Sequence, residues 1–334
     1  MRRFWTLIKD CLARVLPAPM RSFMRETQSL RAQLAEQAAL IQALGDQLNQ
    51  QAEAIRAQSE QEKLHASGQA ALIQALSNQL DRREKERQEQ KNEIQKIQTG
   101  ISRATNISIA IKRSSAENGW AMVFNNTVSE STWLKDKSFS PGRWAVGYPY
   151  LYVMYRILNE ARPKTILDLG LGQSSRMIAQ YAAHHEDVEH YIVEHDPEWT
   201  QFFVNAYSLP QNSHIIQLPW DFVPYKETES VRVYKDFRET FRGMKFDYIS
   251  IDGPLGGDMR EYARIDVLGI LPECLSDVFV ITMDDYERSG EQHTVKEMRQ
   301  ILQKNGIPYT EGTYSGEKDM ILLCAESSSF LSSM

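Results

Sequence analysis

Several acidic residues stand where apolar runs end. Asp168 lies in "KTILDLG", Glu194 in "HYIVEH" and Asp252 in "FDYISIDG", while Asp284 and Asp285 close "VFVITMDD". A carboxylate can accept hydrogen bonds from hydroxyls, take a proton as a general base or hold a hard cation. Asp252, Asp284 and Asp285 form a trio suited to an oxygen-preferring ion such as Mg2+ if their two strand ends are neighbours. A competing reading makes Asp252 a metal-free general base, with Asp284 or Asp285 anchoring substrate. His293 is a second candidate base, or simply part of a helix start. Arg260, Arg264 and Arg288 either bind an anionic group or pair with nearby carboxylates.

A glycine loop, "TILDLGLGQSS", follows Asp168. No Gly-Lys-Ser/Thr comes after Gly170 and Gly172, which excludes a Walker phosphate loop. The dinucleotide pattern G-x-G-x-x-G fails at its third place, where Ser175 stands. A carboxylate two residues ahead of the first glycine would repel a pyrophosphate, yet suits a ligand carrying an amino group and a sulfonium.

The elements that must position these residues alternate. Between the strands, with "HIIQLP" as the third, helices are expected near 174–184, 197–206, 258–272 and 292–304. "PYLYVMYRILNEA" reads as a buried helix before the first strand, and "PYTEGTYS" with "DMILLCAE" as a terminal hairpin. Such alternation predicts an α/β domain with a parallel sheet covered on both faces, its ligands lying beyond the carboxyl ends of the strands.

The D-x-G-x-G pattern ending the first strand, with Glu194 ending the second, resembles class I S-adenosylmethionine-dependent methyltransferases over residues 145–327. The resemblance implies a Rossmann-like methyltransferase fold, a mainly parallel seven-stranded sheet with a terminal hairpin. It further implies that Gly170 and Gly172 admit the methionine part of S-adenosyl-L-methionine and that Ser174 or Ser175 caps the next helix. Glu194 would accept the ribose hydroxyls, and Asp168 would orient the amino group directly or through water. Metal-dependent O-methyltransferases of the catechol type place ligands at the ends of the same two strands, although this chain has Asp-Asp where they have Asp-Asn. "IDGP" and the later Asp-Asp resemble more closely methyltransferases of surface or cell-wall polysaccharides. The implied activity is O-methylation of a glycan, either a surface polysaccharide or its lipid-linked precursor. The alternatives are a nicotinamide-dependent oxidoreductase and a non-catalytic scaffold with a degenerate methyltransferase domain.

The chemistry occupies only the second half of the 334 residues. Mean hydropathy is −0.46 despite 42% hydrophobic residues, because the polar residues crowd before residue 100. Residues 1–23 form a basic, aromatic amphipathic segment interrupted by Lys9, Asp10 and Arg14; it suits a helix lying on a membrane surface or against a protein partner rather than a span. Residues 24–98 repeat apolar positions at heptad spacing, with Leu34, Ile41, Leu48 and Ile55, then Ile73, Leu80, Ile94 and Ile97. The two registers differ by a stutter around "HASGQ". Such a seam predicts a coiled coil roughly 100 Å long that joins copies of the chain. Residues 99–163 form an aromatic-rich lead-in to the methyltransferase domain at 164–328. The net charge of −6 gives no reason to expect nucleic acid. Cys11, Cys274 and Cys324 show neither disulfide nor zinc spacing, which favours a cytoplasmic setting, peripheral on the inner membrane face if residues 1–23 bind it. Polysaccharide-assembly proteins are expected partners on the same reasoning.

Overall fold

The computed structural model describes residues 18–62, 69–142 and 144–334. Most of the segment expected at a membrane surface, and nearly all of the stutter, lie outside the described residues. Among the described residues no helix is long and apolar enough to cross a membrane. The chain divides into two compact units, residues 1–108 and 109–334.

The first unit is helical. Helix α1 spans Ala18–Glu62, and α2, Gln69–Val128, begins here and ends in the second unit. Proline is absent from both helices beyond Pro19, so nothing interrupts their backbone ladders. Ile41 and Leu80, two of the heptad-spaced residues, are each more than two-fifths exposed.

The second unit is built on one seven-stranded sheet. Helix α3, Tyr148–Arg156, extended by a π-turn over Ile157–Ala161, leads into β1 (Thr165–Leu169). Then come α4 (Gln173–His184), β2 (Glu189–Glu194), α5 (Pro197–Ala206), β3 (Ser213–Gln217), β4 (Trp220–Tyr225) and β5 (Thr228–Tyr234). A single turn, α6 (Phe237–Thr240), precedes β6 (Phe246–Ile251) and β7 (Leu275–Met283). Helix α7 (Ser289–Lys304), the hairpin β8 (Thr310–Ser315) and β9 (Asp319–Cys324), and a final 3-10 turn over Glu326–Ser332 follow. The strand order is β3-β2-β1-β6-β7-β9-β8, parallel as far as β7 and antiparallel for β9 and β8. This is the Rossmann-like methyltransferase fold expected from the sequence, terminal hairpin included.

Side chains alternate between the two faces as a pleated strand requires. Ile166, Tyr248, Val280 and Leu322 enter the core beneath the end of α2, α3 and α4. Leu167, Leu169, Ile249, Ile251, Ile281 and Leu323 enter the opposite core with α7. The order reverses between β1 and β6, and in sheets of this kind ligands bind beyond the carboxyl ends of the strands at such a reversal. Cys274 and Cys324 are buried thiols without a bridge, and burial pushes Cys274 up to about 12.

Two expectations change. Residues 220–234, for which no element is expected from the sequence, form an antiparallel hairpin separate from the main sheet. The helix expected at 258–272 is instead an irregular loop followed by a 3-10 turn over Ile265–Gly269. Arg264 there adopts a positive φ of 58° and is only 3% exposed. Its burial among carboxylates overrides the local helical pattern.

Asp266, in that 3-10 turn, is buried, and desolvation raises its carboxyl to about 7, although the Tyr234 amide donates to it at 2.7 Å. The folded state therefore binds this proton more tightly than the unfolded chain, and stability falls as pH rises from about 4 to about 7. Asp266→Asn keeps an acceptor without the charge. It is expected to raise stability at pH 8 by on the order of 1–3 kcal/mol, with little gain at pH 4, in thermal melts at the two pH values.

Candidate active site

The glycine turn is tight because its neighbours leave no room. Gly170 has φ of 104°, a region favouring glycine, and a Cβ there would stand 3.2 Å from the Gly253 amide nitrogen and 3.3 Å from the Asp252 carbonyl carbon. A Cβ on Gly253 would overlap the Tyr234 hydroxyl and lie 3.2 Å from Gly170 Cα. The loop after β1 and the loop after β6 thus touch backbone to backbone. Above Gly172 the space is open, with no atom within 4 Å of an added Cβ.

Glu194 closes β2 and faces this turn. Its Oε2 accepts from the Leu171 amide at 3.2 Å, and its Oε1 accepts from the His195 and Asp196 amides at 2.7 and 2.9 Å. His195 Nδ1 lies 2.7 Å from the same Oε1. The His195 ring stacks on Trp220 of the β4–β5 hairpin, with centroids 3.7 Å apart and planes within 11°. Trp199 Nε1 donates to the Leu171 carbonyl at 2.7 Å, tying α5 to the turn.

Asp168 is fully buried, and its Oδ1 has no hydrogen-bond partner. Its Oδ2 accepts from Ser175 Oγ at 2.6 Å and lies 3.6 Å from His190 Nε2. Ser175 Oγ in turn accepts the Gly172 amide at 3.0 Å. Through Oδ2, Asp168 therefore fixes the turn by way of Ser175. The physical reason is the pleat: Asp168 shares its face with Ser250 and Thr282, its neighbours in register on β6 and β7. Ser174 is buried with an unpartnered hydroxyl, so the capping contact belongs to Ser175.

The second cluster gathers at the ends of β6 and β7. Asp252, Asp284 and Asp285 bring ligand-type oxygens within 4.8 Å of one another, as their strand ends suggested. Two cations already stand among them. Arg264 Nη2 donates to Asp285 Oδ2 at 2.6 Å and to Asp252 Oδ1 at 3.3 Å, while its Nη1 donates to the Asp284 carbonyl at 2.8 Å. Lys318 Nζ lies 2.9 Å from Asp284 Oδ2 and 3.3 Å from Asp285 Oδ1. Arg288 adds a contact at 2.8 Å to Asp285 Oδ1, and buried Glu291 approaches Arg264 and Arg288 at 3.8 and 3.6 Å. As arranged, these donors do not fit a divalent ion, because four of the six aspartate oxygens face nitrogen cations that such an ion would have to displace.

The environment grades the three acids. Burial, then Asp284, lifts the Asp252 carboxyl well above the carboxylate range. Burial raises Asp284 to about 6 against the pull of Lys318. Burial acts on Asp285 too, but Arg264, Lys318 and Arg288 outweigh it and hold that group low. Asp252 is also the most open, its side chain 15% exposed against 1% for Asp284 and 4% for Asp285. It is the carboxyl best placed to exchange a proton.

His293 does not join this cluster. It is exposed, its Nδ1 lies 2.6 Å from the Glu261 carbonyl, and its ring sits beside Tyr262. That tethers the end of the 253–262 loop to α7, so the expectation of a base is replaced by a structural role. Trp144 is 83% exposed and Tyr148 packs on Phe124. Sequence reasoning missed Lys318, Glu291, Tyr234 and the stacked pair His195 and Trp220. Lys318 lies in a polar turn, "SGEKD", that carries no local mark of a site.

No protein-family model matches the sequence, and no curated protein matches it. Solved structures with some likeness include an SAH-bound methyltransferase of Podospora anserina, at 14% identity and TM-score 0.37, covering 66% of this chain and 94% of that one. An O-methyltransferase from Bacillus cereus in complex with SAH is 11% identical, with TM-score 0.38 and coverage of 64% and 91%. The O-methyltransferase TomG of Streptomyces achromogenes, in complex with SAM and involved in tomaymycin synthesis, is 12% identical, with TM-score 0.37 and coverage of 65% and 96%. The fold assignment rests on the strand order of this chain itself.

Ser175→Ala removes the donor to Asp168 Oδ2 and the acceptor of the Gly172 amide. It is expected to destabilise the second unit by roughly 1–3 kcal/mol, and adding Asp168→Asn should recover part of the loss by removing the stranded charge. Thermal denaturation measures both; a melting temperature unchanged by Ser175→Ala would refute the coupling.

Proposed function

We propose that the chain is an S-adenosylmethionine-dependent O-methyltransferase. The observation that carries this reading is the direct contact of the Gly170 turn with the loop of Asp252, which sets a ligand held by the turn beside the most exposed carboxyl of the three. The residues fit that cofactor. Glu194 retains acceptor capacity for ribose hydroxyls, since each of its oxygens offers two lone pairs and Oε2 receives a single amide. Open space lies over Gly172 at the start of α4, where helix amides favour a carboxylate.

When bound, the cofactor supplies a methyl group whose C–S bond breaks to a neutral thioether as the acceptor oxygen forms its C–O bond. The chain supplies position and a proton acceptor. Asp252 hydrogen-bonds the acceptor hydroxyl and takes its proton. Arg264 fixes Asp252 through Oδ1 and leaves Oδ2 for that task. The Gly170–Gly253 contact keeps the two halves of the site at van der Waals distance, with no side chain intervening.

For the acceptor we favour a hydroxyl of a glycan, a surface polysaccharide or a lipid-linked precursor. The support is architectural: a helical seam that joins copies suits a large or surface-bound acceptor, which a small phenol does not require. Transfer of label from S-adenosylmethionine to glycan extracts tests this reading. Turnover of small phenols without any glycan product would overturn it.

Isothermal titration tests the cofactor. S-adenosylhomocysteine is expected to bind the wild-type chain, and Glu194→Ala to weaken it by about 10-fold or more. Binding of NADH without S-adenosylhomocysteine would reverse the assignment. Sedimentation tests the seam: Leu34→Asp with Ile41→Asp should lower the mass of the species in solution, and an unchanged mass would rule out the seam as the joining surface.

A further inference from the structure

Lys318 reaches the acidic cluster from a turn that is held in place with unusual thoroughness. Arg113, on α2, donates to the Glu317 carbonyl at 3.0 Å and pairs with Asp319 at 3.3 Å. One turn further along, Glu117 accepts the Glu317 amide at 2.9 Å and the Tyr148 amide at 2.6 Å. Trp120 Nε1 donates to the Ser315 carbonyl at 3.0 Å. From the other side, Glu287 accepts the Asp319 amide at 2.8 Å, and the Tyr286 amide donates to the Asp319 carbonyl at 2.8 Å. Gly316 cannot carry a side chain, since a Cβ would overlap Glu117 and stand 2.8 Å from Pro149 Cγ. A turn fixed from three directions delivers one ammonium to a set place.

That place is among the carboxylates. The Lys318 side chain is 13% exposed and its ammonium lies between Asp284 and Asp285. A lysine brought this far out of water needs close anionic partners, and it has two. We propose that the Lys318 ammonium, together with the Arg264 guanidinium, fills the cation place of the Asp252–Asp284–Asp285 cluster, and that the site works without a divalent metal. The inference deepens the reading of the site as one of O-methyl transfer, but its electrostatics stand independently of that reading. It also narrows the acceptor. A metal-held acceptor offers two adjacent oxygens for chelation, whereas Asp252 beside a fixed ammonium needs only a single hydroxyl. Arg113, Glu117 and Trp120 are then positioning residues, acting on the site through the turn.

The test is metal binding, read without any activity assay. The full-length chain, Lys318→Met and Lys318→Met with Asp284→Asn are titrated with Mn2+, following free Mn2+ by electron paramagnetic resonance. The wild-type chain should bind no stoichiometric Mn2+ below about 1 mM. Lys318→Met, by removing the ammonium from Asp284 Oδ2 and Asp285 Oδ1, should gain one site at least ~10-fold tighter, and the added Asp284→Asn should abolish it. One Mn2+ per wild-type chain at micromolar concentration, lost in Asp284→Asn alone, would overturn the proposal. So would a folded Lys318→Met that gains no site. If Lys318→Met does not fold, the wild-type titration with Asp284→Asn decides the question. Failure to bind S-adenosylhomocysteine would leave this result untouched, so the two readings fail separately.

Discussion

Arg264 is the interaction on which the second half of the molecule depends. Its guanidinium is buried, yet it lies against Asp252, Asp285 and Glu291 and donates to the carbonyl of Asp284. These partners come from the end of β6, the end of β7 and the first turn of α7. A buried charge is tolerated only with partners, and removing this one would leave several carboxylates uncompensated, a loss of roughly 3–5 kcal/mol or more. The backbone bends to meet the requirement: Arg264 and Asp285 both take positive φ, at 58° and 60°. Local strain and a missing helix are thus the cost of one central pairing.

The sheet supports this arrangement through a polar row inside an apolar layer. Asp168, Ser250 and Thr282 stand side by side on β1, β6 and β7. Tyr150 from α3 bridges Ser250 and Thr282 at 3.0 and 2.8 Å, and Tyr248 adds a bond to Thr282 at 2.9 Å. Burial keeps both phenols protonated, their acidity shifted well beyond the ordinary value. The row pins three adjacent strands a residue or two below the chemistry, which fixes where Asp252 and the Asp284–Asp285 pair emerge.

Much of this was legible in the sequence because parallel strands advertise themselves. "TILDL", "HYIVE", "FDYISI" and "VFVITM" are apolar runs too dense for a half-exposed strand, and all but the first end in acid where the sheet ends. The carboxylate trio and the paired fate of Arg264 and Arg288 followed from the same reading. What escaped it depends on distance along the chain. Lys318 meets Asp284 across 34 residues, and Glu117 meets Glu317 across 200. The β4–β5 hairpin was hidden because its turn at Lys226 lacks the glycine or asparagine that usually marks one, and Pro224 lies within its first strand. The inward turn of Asp168 could have been inferred, since a strand residue two places before the loop shares its face with Ile166.

The stacked pair His195 and Trp220 has a consequence for recognition. The His195 ring beside Glu194 is already covered by the Trp220 indole. A planar ligand entering on that ring would exchange one aromatic contact for another, so stacking would contribute little net affinity, and the measured affinity would be lowered by the fraction of molecules in which the pair is closed. Selection then falls to the edges of the ligand, to what meets Glu194 and the amides of the turn. The same exchange would move an indole from one neighbouring ring to another and so give an optical signal of occupancy.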